Sequence, residues 1–123
     1  MTVFFYRDVS GFGAIYAALD DDGVLEIALS LKPGSPVKGH QLFSQALGHF
    51  GLEVKTIRGN WTWGVNLVKV NQLTARGIHL EEAARGTWTA RQCIQKGYTI
   101  SEVRSFEGVA GNYTALQVDF TKP

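Results

Sequence analysis

The pattern of apolar and polar positions divides the chain into short strands and amphipathic helices. Runs rich in aromatic and β-branched residues, several with strict alternation, predict strands, whereas apolar residues that recur every three or four positions predict helices. The order is β-β-β-α-β-α-α-α-β-β. The predicted strands are Val3–Tyr6, Ala14–Leu19, Val24–Leu31, Leu52–Arg58, Thr99–Phe106 and Tyr113–Phe120, and the predicted helices follow Ser35-Pro36, follow Asn66, and span Leu80–Arg85 and Ala90–Lys96.

Residues that favour turns and caps lie between these segments. Asp20-Asp21-Asp22-Gly23 predicts a hairpin, because Asp bonds its own backbone and Gly tolerates positive φ. Ser35-Pro36 predicts the first turn of a helix, and Thr87 or Thr89 can cap the last one. We therefore expect residues 1–123 to form a single α+β domain, with a mostly antiparallel sheet of about six strands and helices packed on it.

Composition narrows the class of protein. The chain is 45% hydrophobic and 19% charged, as folded soluble domains are. Its one cysteine, Cys93, excludes an intramolecular disulfide and a cysteine-based metal cluster. A zinc site of three histidines would need His40, His49 and His79 to converge from distant positions, and we predict no metal site. No apolar run approaches the roughly 20 residues of a membrane span.

Charge is distributed unevenly along the chain. Residues 1–54 contain three Lys or Arg against six Asp or Glu, whereas residues 55–104 contain eight against three. A basic half favours an anionic ligand, such as a nucleic acid or nucleotide, although a solvated basic face would give the same count.

The best candidate site is the stretch from Asn60 to Tyr98, extended by the loop from Pro33 to His40. Its Trp, Asn and Thr residues are more polar and aromatic than a core requires, although core packing and helix capping remain alternative roles for them. We expect these segments to line one basic hollow. The predicted catalytic residues are His40, Asn66 and Thr87, and the predicted substrate-binding residues are Lys38, Arg58, Trp61, Trp63, Thr89 and Arg91.

The loop from Gly34 to His40 joins a strand to a helix, so its free amides and Lys38 are suited to a phosphate. Carried by Gly34 and Gly39, this setting resembles the pyrophosphate loop of GNAT acyltransferases. The order of elements and the later Asn66, Asn71 and Gly97-Tyr98 are similar to theirs too. The resemblance implies a GNAT-like fold and an N-acyltransferase that uses acetyl-CoA.

A second resemblance covers residues 60–120. The spacing of small, polar and aromatic residues is similar to that of C-terminal toxin-type domains of bacterial polymorphic secreted proteins, of the Rhs and filamentous-haemagglutinin kind. The residues that carry it are Trp61, Asn66-Leu67, Asn71, Gly77, Ala83-Ala84, Thr87, Thr89, Gly97-Tyr98, Asn112-Tyr113 and Phe120. It implies a domain that is delivered into a competing cell as part of a larger protein and neutralised by an immunity protein.

These observations leave three hypotheses for the function. The first is an antibacterial effector that acts on a nucleic acid or nucleotide, and the second is a GNAT-like acyltransferase. The third is a non-catalytic interaction module that uses its tryptophans as a contact surface. The sequence identifies no cofactor.

Overall fold

A computed structural model describes residues 1–123, and it contains the predicted succession of strands and helices. The α+β class and the order of elements are confirmed. The chain divides into two compact units, residues 1–55 and 56–123, so the expectation of a single domain stays a prediction. The strands are β1 Thr2–Arg7, β2 Gly13–Leu19, β3 Val24–Leu31, β4 Thr56–Trp61, β5 Ile100–Glu107 and β6 Ala115–Thr121, and the helices are α1 Gly39–Phe50, α2 Val65–Ala75, α3 Leu80–Arg85 and α4 Trp88–Gln95.

The N-terminal unit is an antiparallel sheet of three strands with β2 at its centre and α1 on one face. Ile15 and Ala17 of β2 are buried on the face that α1 covers. Gly13 lies on the same face, where an added Cβ would meet Leu42 of α1 at 3.3 Å. The ring of Phe4 also packs edge-on against Phe50 of α1. Residues of the opposite parity on these strands therefore form the face that points away from α1.

The turn between β2 and β3 is the predicted hairpin. The Asp20 carboxylate accepts hydrogen bonds from the amides of Asp22 and Val24, at 2.8 and 2.9 Å. Gly23 adopts a φ of 80°, which a residue with a Cβ rarely takes. Local side-chain chemistry therefore fixes this turn, which is why the sequence reveals it.

The predicted start of α1 at Ser35-Pro36 is wrong. The helix begins at Gly39, because the Ser35 hydroxyl donates to the Val37 carbonyl at 2.9 Å and accepts from the Val37 amide at 3.3 Å. These bonds hold a turn within the loop, and Ser competes for local bonds in this way as readily as it caps helices. Lys38 occupies the N-cap position instead.

The predicted bounds of the fourth strand, Leu52–Arg58, are also wrong. Residues Gly51–Glu53 form a single 3-10 turn after α1, and β4 spans Thr56–Trp61. Gly51 has a φ of 60° and reverses the chain at the end of α1. The alternation from Leu52 to Val54 therefore reflects a turn, and the strand includes the first tryptophan of the candidate stretch.

The C-terminal unit is built around β6, which pairs antiparallel with β4 on one side and β5 on the other. Leu116, Val118 and Phe120 alternate along β6 and are buried, as their period of two predicts. The helices α2, α3 and α4 pack on one another, and α3 also packs on β5. None of the helices in the structure meets the length and apolarity needed to cross a membrane.

The helix caps of the C-terminal unit follow the sequence in part. The predicted bounds of α3 are confirmed, and Thr87 caps α4 by accepting from the Ala90 amide at 3.2 Å. The predicted start of α2 after Asn66 is one residue or more too late, because Gly64 is the N-cap and Asn66 lies in the first turn. The amide group of Asn66 is directed to another helix.

Candidate functional site

The segment that joins β3 to α1, here called the β3–α1 loop, comprises residues 32–38. Its first amide, that of Lys32, donates to the Phe12 carbonyl at 2.7 Å, so the loop is tied to the turn between β1 and β2. The Ser35 amide donates to the Lys32 carbonyl at 3.2 Å, and Gly34 between them has a φ of 81°. The loop is therefore a defined turn, with Lys32 at its start and Lys38 at its end.

The first turn of α1 presents unbonded amides. The Lys38 amide donates to the Gln41 side-chain oxygen at 2.8 Å, whereas the amides of Gly39 and His40 have no backbone acceptor. The side chains of Lys38 and His40 are exposed beside them. The positive end of the helix dipole, free N–H groups and a cationic side chain are suited to a phosphate group.

A recess of about 150 Å³ lies at the end of the N-terminal sheet near this loop. The register places Arg7 opposite Ala14, and Ala14 opposite Ser30, so the three side chains form one row on the face that points away from α1. Neither Arg7 nor Lys32 forms an ion pair. We call this cavity the basic recess; it is lined by Arg7, Gly11, Phe12, Gly13, Ala14, Ser30 and Lys32.

Sequence reasoning missed the basic recess. Arg7 and Lys32 stand at the ends of two predicted strands, and Ser30 precedes Lys32 with the period of two that puts both on one face. That spacing predicts that Ser30 and Lys32 share one face of the sheet. The pairing of β1 with β2 and of β2 with β3 was also needed to bring Arg7 to Ser30, and only the structure gives the register.

In the C-terminal unit, Arg58 forms an ion pair with Asp119. Its Nε and Nη2 atoms donate to the two carboxylate oxygens of Asp119, at 2.7 and 3.0 Å. The Nε of Arg104 lies 3.9 Å from the same carboxylate. Next to this pair, the Gln117 side chain donates to the Asn60 side chain at 2.9 Å. Asp119, Arg104 and Gln117 were not singled out from the sequence, because no local motif links positions so far apart.

Asn66 and Thr89 bind one another. The Asn66 Nδ2 donates to the Thr89 hydroxyl at 2.7 Å, and its Oδ1 accepts from the Thr89 amide at 3.2 Å. Asn66 thus joins α2 to α4. Thr87 is fully buried, and its hydroxyl donates to the Ala84 carbonyl at 2.8 Å while it caps α4. These contacts give Asn66 and Thr87 a structural role, and the catalytic role of each stays a prediction.

The tryptophans differ in their surroundings. Trp61 is only 6% exposed and packs against Phe120, with its indole so close to Gly59 that an added Cβ would lie 2.6 Å from Nε1. Trp63 is 80% exposed in the turn before α2, and Trp88 is half-buried. Trp63 is therefore the indole available for stacking, whereas Trp61 belongs to the core.

The Cys93 thiol and the Tyr98 phenol of the C-terminal unit are buried. Cys93 is buried, and its loss of contact with water raises the pKa of the thiol far above its usual value. Burial also raises the pKa of Tyr98. No group of three or more His, Cys, Asp or Glu side chains is arranged to hold a metal ion.

The predicted site residues belong to two units. Lys38 and His40 lie in the N-terminal unit, and the other seven lie in the C-terminal unit. Within the C-terminal unit the structure brings Asn66 to Thr89, and it leaves Trp63 and Arg91 exposed. The expectation that all nine line one hollow stays a prediction.

Comparisons with known proteins give a likeness in fold. The sequence matches no protein-family model and no curated protein. Among solved structures, the chain is similar to "GphF GNAT-like decarboxylase in complex with isobutyryl-CoA", with a TM-score of 0.52 and 15% identity over 89% of this chain and 72% of that one. At this identity the likeness concerns the fold alone. It supports the GNAT-like resemblance seen in the sequence, and it lends no support to the toxin-type resemblance.

Proposed function

We propose that this chain is a GNAT-fold protein that binds an acyl thioester of CoA and transfers the acyl group to an amine. The observation that carries the proposal is the fold likeness, over 89% of the chain, to a protein solved with isobutyryl-CoA. The β3–α1 loop supplies a place where such a ligand's diphosphate would bind.

The chemistry of the β3–α1 loop and of the first turn of α1 supports the proposal. A diphosphate needs several N–H donors and a compensating charge, and the amides of Gly39 and His40 and the ammonium of Lys38 supply both. The bonds of Ser35 to Val37 fix the loop before a ligand arrives. Binding would therefore cost little ordering of the backbone.

Calorimetric titration with acetyl-CoA and isobutyryl-CoA tests this function. We expect a saturable heat, and Lys38→Ala should weaken binding by about tenfold, the loss of about 1.4 kcal/mol that a charge-assisted contact contributes. Lys96→Ala is the matched control, because Lys96 is exposed at the end of α4 and should leave affinity unchanged. An absence of heat at millimolar ligand would rule the proposal out.

His40 is the residue we propose as acid or base near the bound anion. It is exposed in the first turn of α1, next to the unbonded amides. His40→Gln keeps a polar side chain of similar reach but cannot exchange a proton near neutral pH. We expect the variant to bind the thioester normally and to lose transfer to an amine, measured as release of free CoA. Unchanged release would remove His40 from the reaction.

The effector hypothesis remains a second candidate, and one structural observation favours it. Trp63 and Arg91 are exposed in the basic half of the chain, as stacking and phosphate contacts with a nucleic acid or nucleotide require. The fold comparison favours the acyltransferase over this candidate. Expression in a bacterium without an immunity protein separates them, because healthy growth with abundant soluble protein would count against an effector.

A further inference from the structure

The basic recess is built from one row of side chains across three strands. Arg7, Ala14 and Ser30 lie side by side in this row on β1, β2 and β3. The next row on the same face is Phe5, Tyr16 and Ala28, whose two aromatic rings rise above the sheet. The small Ala14 therefore leaves a depression between Arg7 and Ser30, and this depression is the floor of the cavity.

The donors of the basic recess suit an anion. The guanidinium of Arg7 lies 6.0 Å from the centre of the Phe5 ring, and the ring limits where the group can move. Lys32 adds an ammonium, and Ser30 adds a hydroxyl donor. Neither cation has a carboxylate partner, so both positive charges remain available.

The acidic group closest in sequence, Asp8, forms no ion pair with Arg7 or Lys32. Asp8 follows Arg7, but its carboxylate accepts from the amide of Ser10 at 3.2 Å and from the Ser10 hydroxyl. The Ser10 hydroxyl bond, more than any other cause, lowers the pKa of Asp8. The turn between β1 and β2 thus keeps its own carboxylate occupied.

The size of the basic recess limits the ligand. Its volume of about 150 Å³ is below the roughly 300–1,000 Å³ of pockets that enclose a drug-sized molecule. It corresponds to about five water molecules at roughly 30 Å³ each. A tetrahedral oxyanion fits such a space.

We propose that the basic recess binds a phosphate monoester group, with Arg7, Lys32 and Ser30 as its donors. Arg offers paired N–H groups that match two oxygens of a phosphate, and Lys balances the second negative charge. The recess adjoins the β3–α1 loop, since Phe12 lines the cavity and its ring approaches Gly34. This inference stands on the geometry of the N-terminal unit. It deepens the proposed function where the monoester is the 3′-phosphate of CoA.

Titration of the full chain with inorganic phosphate, followed by amide NMR at constant ionic strength, tests the site. We expect saturable shifts at Gly11, Phe12 and Gly13, which sodium chloride does not reproduce. Arg7→Ala and Ala14→Leu should each abolish saturation, the first by removing a donor and the second by filling the floor. Lys96→Ala, a change at an exposed lysine of the C-terminal unit, is the control that keeps saturation. Shifts that are equal with chloride, or unchanged in Arg7→Ala, would overturn the proposal.

Ligands that differ in one phosphate identify the source of the monoester. A weakening by Arg7→Ala that affects CoA but not 3′-dephospho-CoA supports the monoester of CoA as the ligand. Saturable phosphate binding with equal affinity for the two cofactors supports a free phosphate. If CoA does not bind at all while phosphate still saturates the recess, the proposed function fails and the recess stands. If phosphate does not saturate the recess and CoA binds no more tightly than 3′-dephospho-CoA, the proposal for the recess is wrong, while the proposed function is unaffected.

Discussion

Arg58 on β4 lies directly opposite Asp119 on β6, and its guanidinium makes hydrogen bonds of 2.7 and 3.0 Å to both carboxylate oxygens. The Asp119 side chain is only 9% exposed and that of Arg58 21%. Two well-aligned bonds between charged groups stabilise the pairing of these strands, provided that neither partner is left alone.

Asp119→Asn keeps the shape of the side chain and removes its charge. Because Arg58 then loses its counterion in a half-buried position, we expect the free energy of unfolding to fall by about 2–3 kcal/mol, as measured by urea denaturation. Glu107→Gln, an exposed acid-to-amide change on β5, should cost less than about 0.5 kcal/mol. Equal losses in the two variants would show that the ion pair does not stabilise the fold.

Asn66 and Thr89 should behave as one unit. Asn66→Ala removes both bonds between α2 and α4, and Thr89→Ala removes the one to its hydroxyl, so their effects on unfolding should not add in the double variant. We expect a coupling energy of about 1 kcal/mol from a double-mutant cycle. Additive losses would mean that the two side chains act separately, as a catalytic Asn66 with no structural duty would.

The two tryptophans of the candidate stretch should respond in opposite ways to truncation. Trp61→Ala opens a cavity in the core and should lower stability by about 3–5 kcal/mol. Trp63→Ala should change it by less than about 0.5 kcal/mol, since the indole is 80% exposed. Acrylamide should quench the fluorescence of Trp63 and spare that of Trp61. A large stability loss in Trp63→Ala would contradict the exposed position.

The buried thiol gives a testable dependence on pH. The pKa of Cys93 is raised above its ordinary value of 9.0, so above about that pH the unfolded chain releases the thiol proton while the folded chain keeps it. The free energy of unfolding should fall with rising pH in this range, and less steeply in Cys93→Ala. Thiol reagents should fail to label the native protein. Rapid native labelling would contradict the burial of this group.

One buried hydroxyl lacks a partner. The Ser101 Oγ on β5 is inaccessible to solvent and forms no hydrogen bond. Ser101→Ala removes this unsatisfied group, and we expect stability to rise by about 1 kcal/mol in thermal denaturation. Ser105→Ala on the same strand is the control, because Ser105 is exposed. A loss of stability confined to Ser101→Ala would reveal a bond that the hydroxyl makes in solution.

Local features of the fold could be predicted from the sequence, and long-range ones could not. Asp20 and Thr87 bond backbone amides within four residues, so their turn and cap are visible in the residue order. The helix start predicted at Ser35 is wrong, because a serine hydroxyl closes a turn by hydrogen bonding as readily as it caps a helix. The side chain of Asn71 forms hydrogen bonds with the backbone amide and carbonyl of Tyr113, and no periodicity in the sequence predicts that contact.

In the candidate site, too, local features could be predicted from the sequence and long-range contacts could not. Lys38 and His40 stand where a strand-to-helix loop meets the first turn of α1, a junction that the sequence predicts. Arg7 and Ser30 meet only through the register of β1, β2 and β3, which alternation alone does not fix. Residue type pointed to Arg58 as a phosphate ligand, yet the cross-strand position of Asp119 gives it another partner.

β6 lies at the centre of the C-terminal sheet and is the last of that sheet's three strands to be synthesised. β4 cannot complete its ladder until β6 has left the ribosome, since Thr56 pairs with Thr121. Until then, one edge of β4 and one edge of β5 lack the neighbour they finally share. Nascent chains stalled before residue 115 should therefore recruit chaperones, and this half of the protein should close only after translation has passed its final strand.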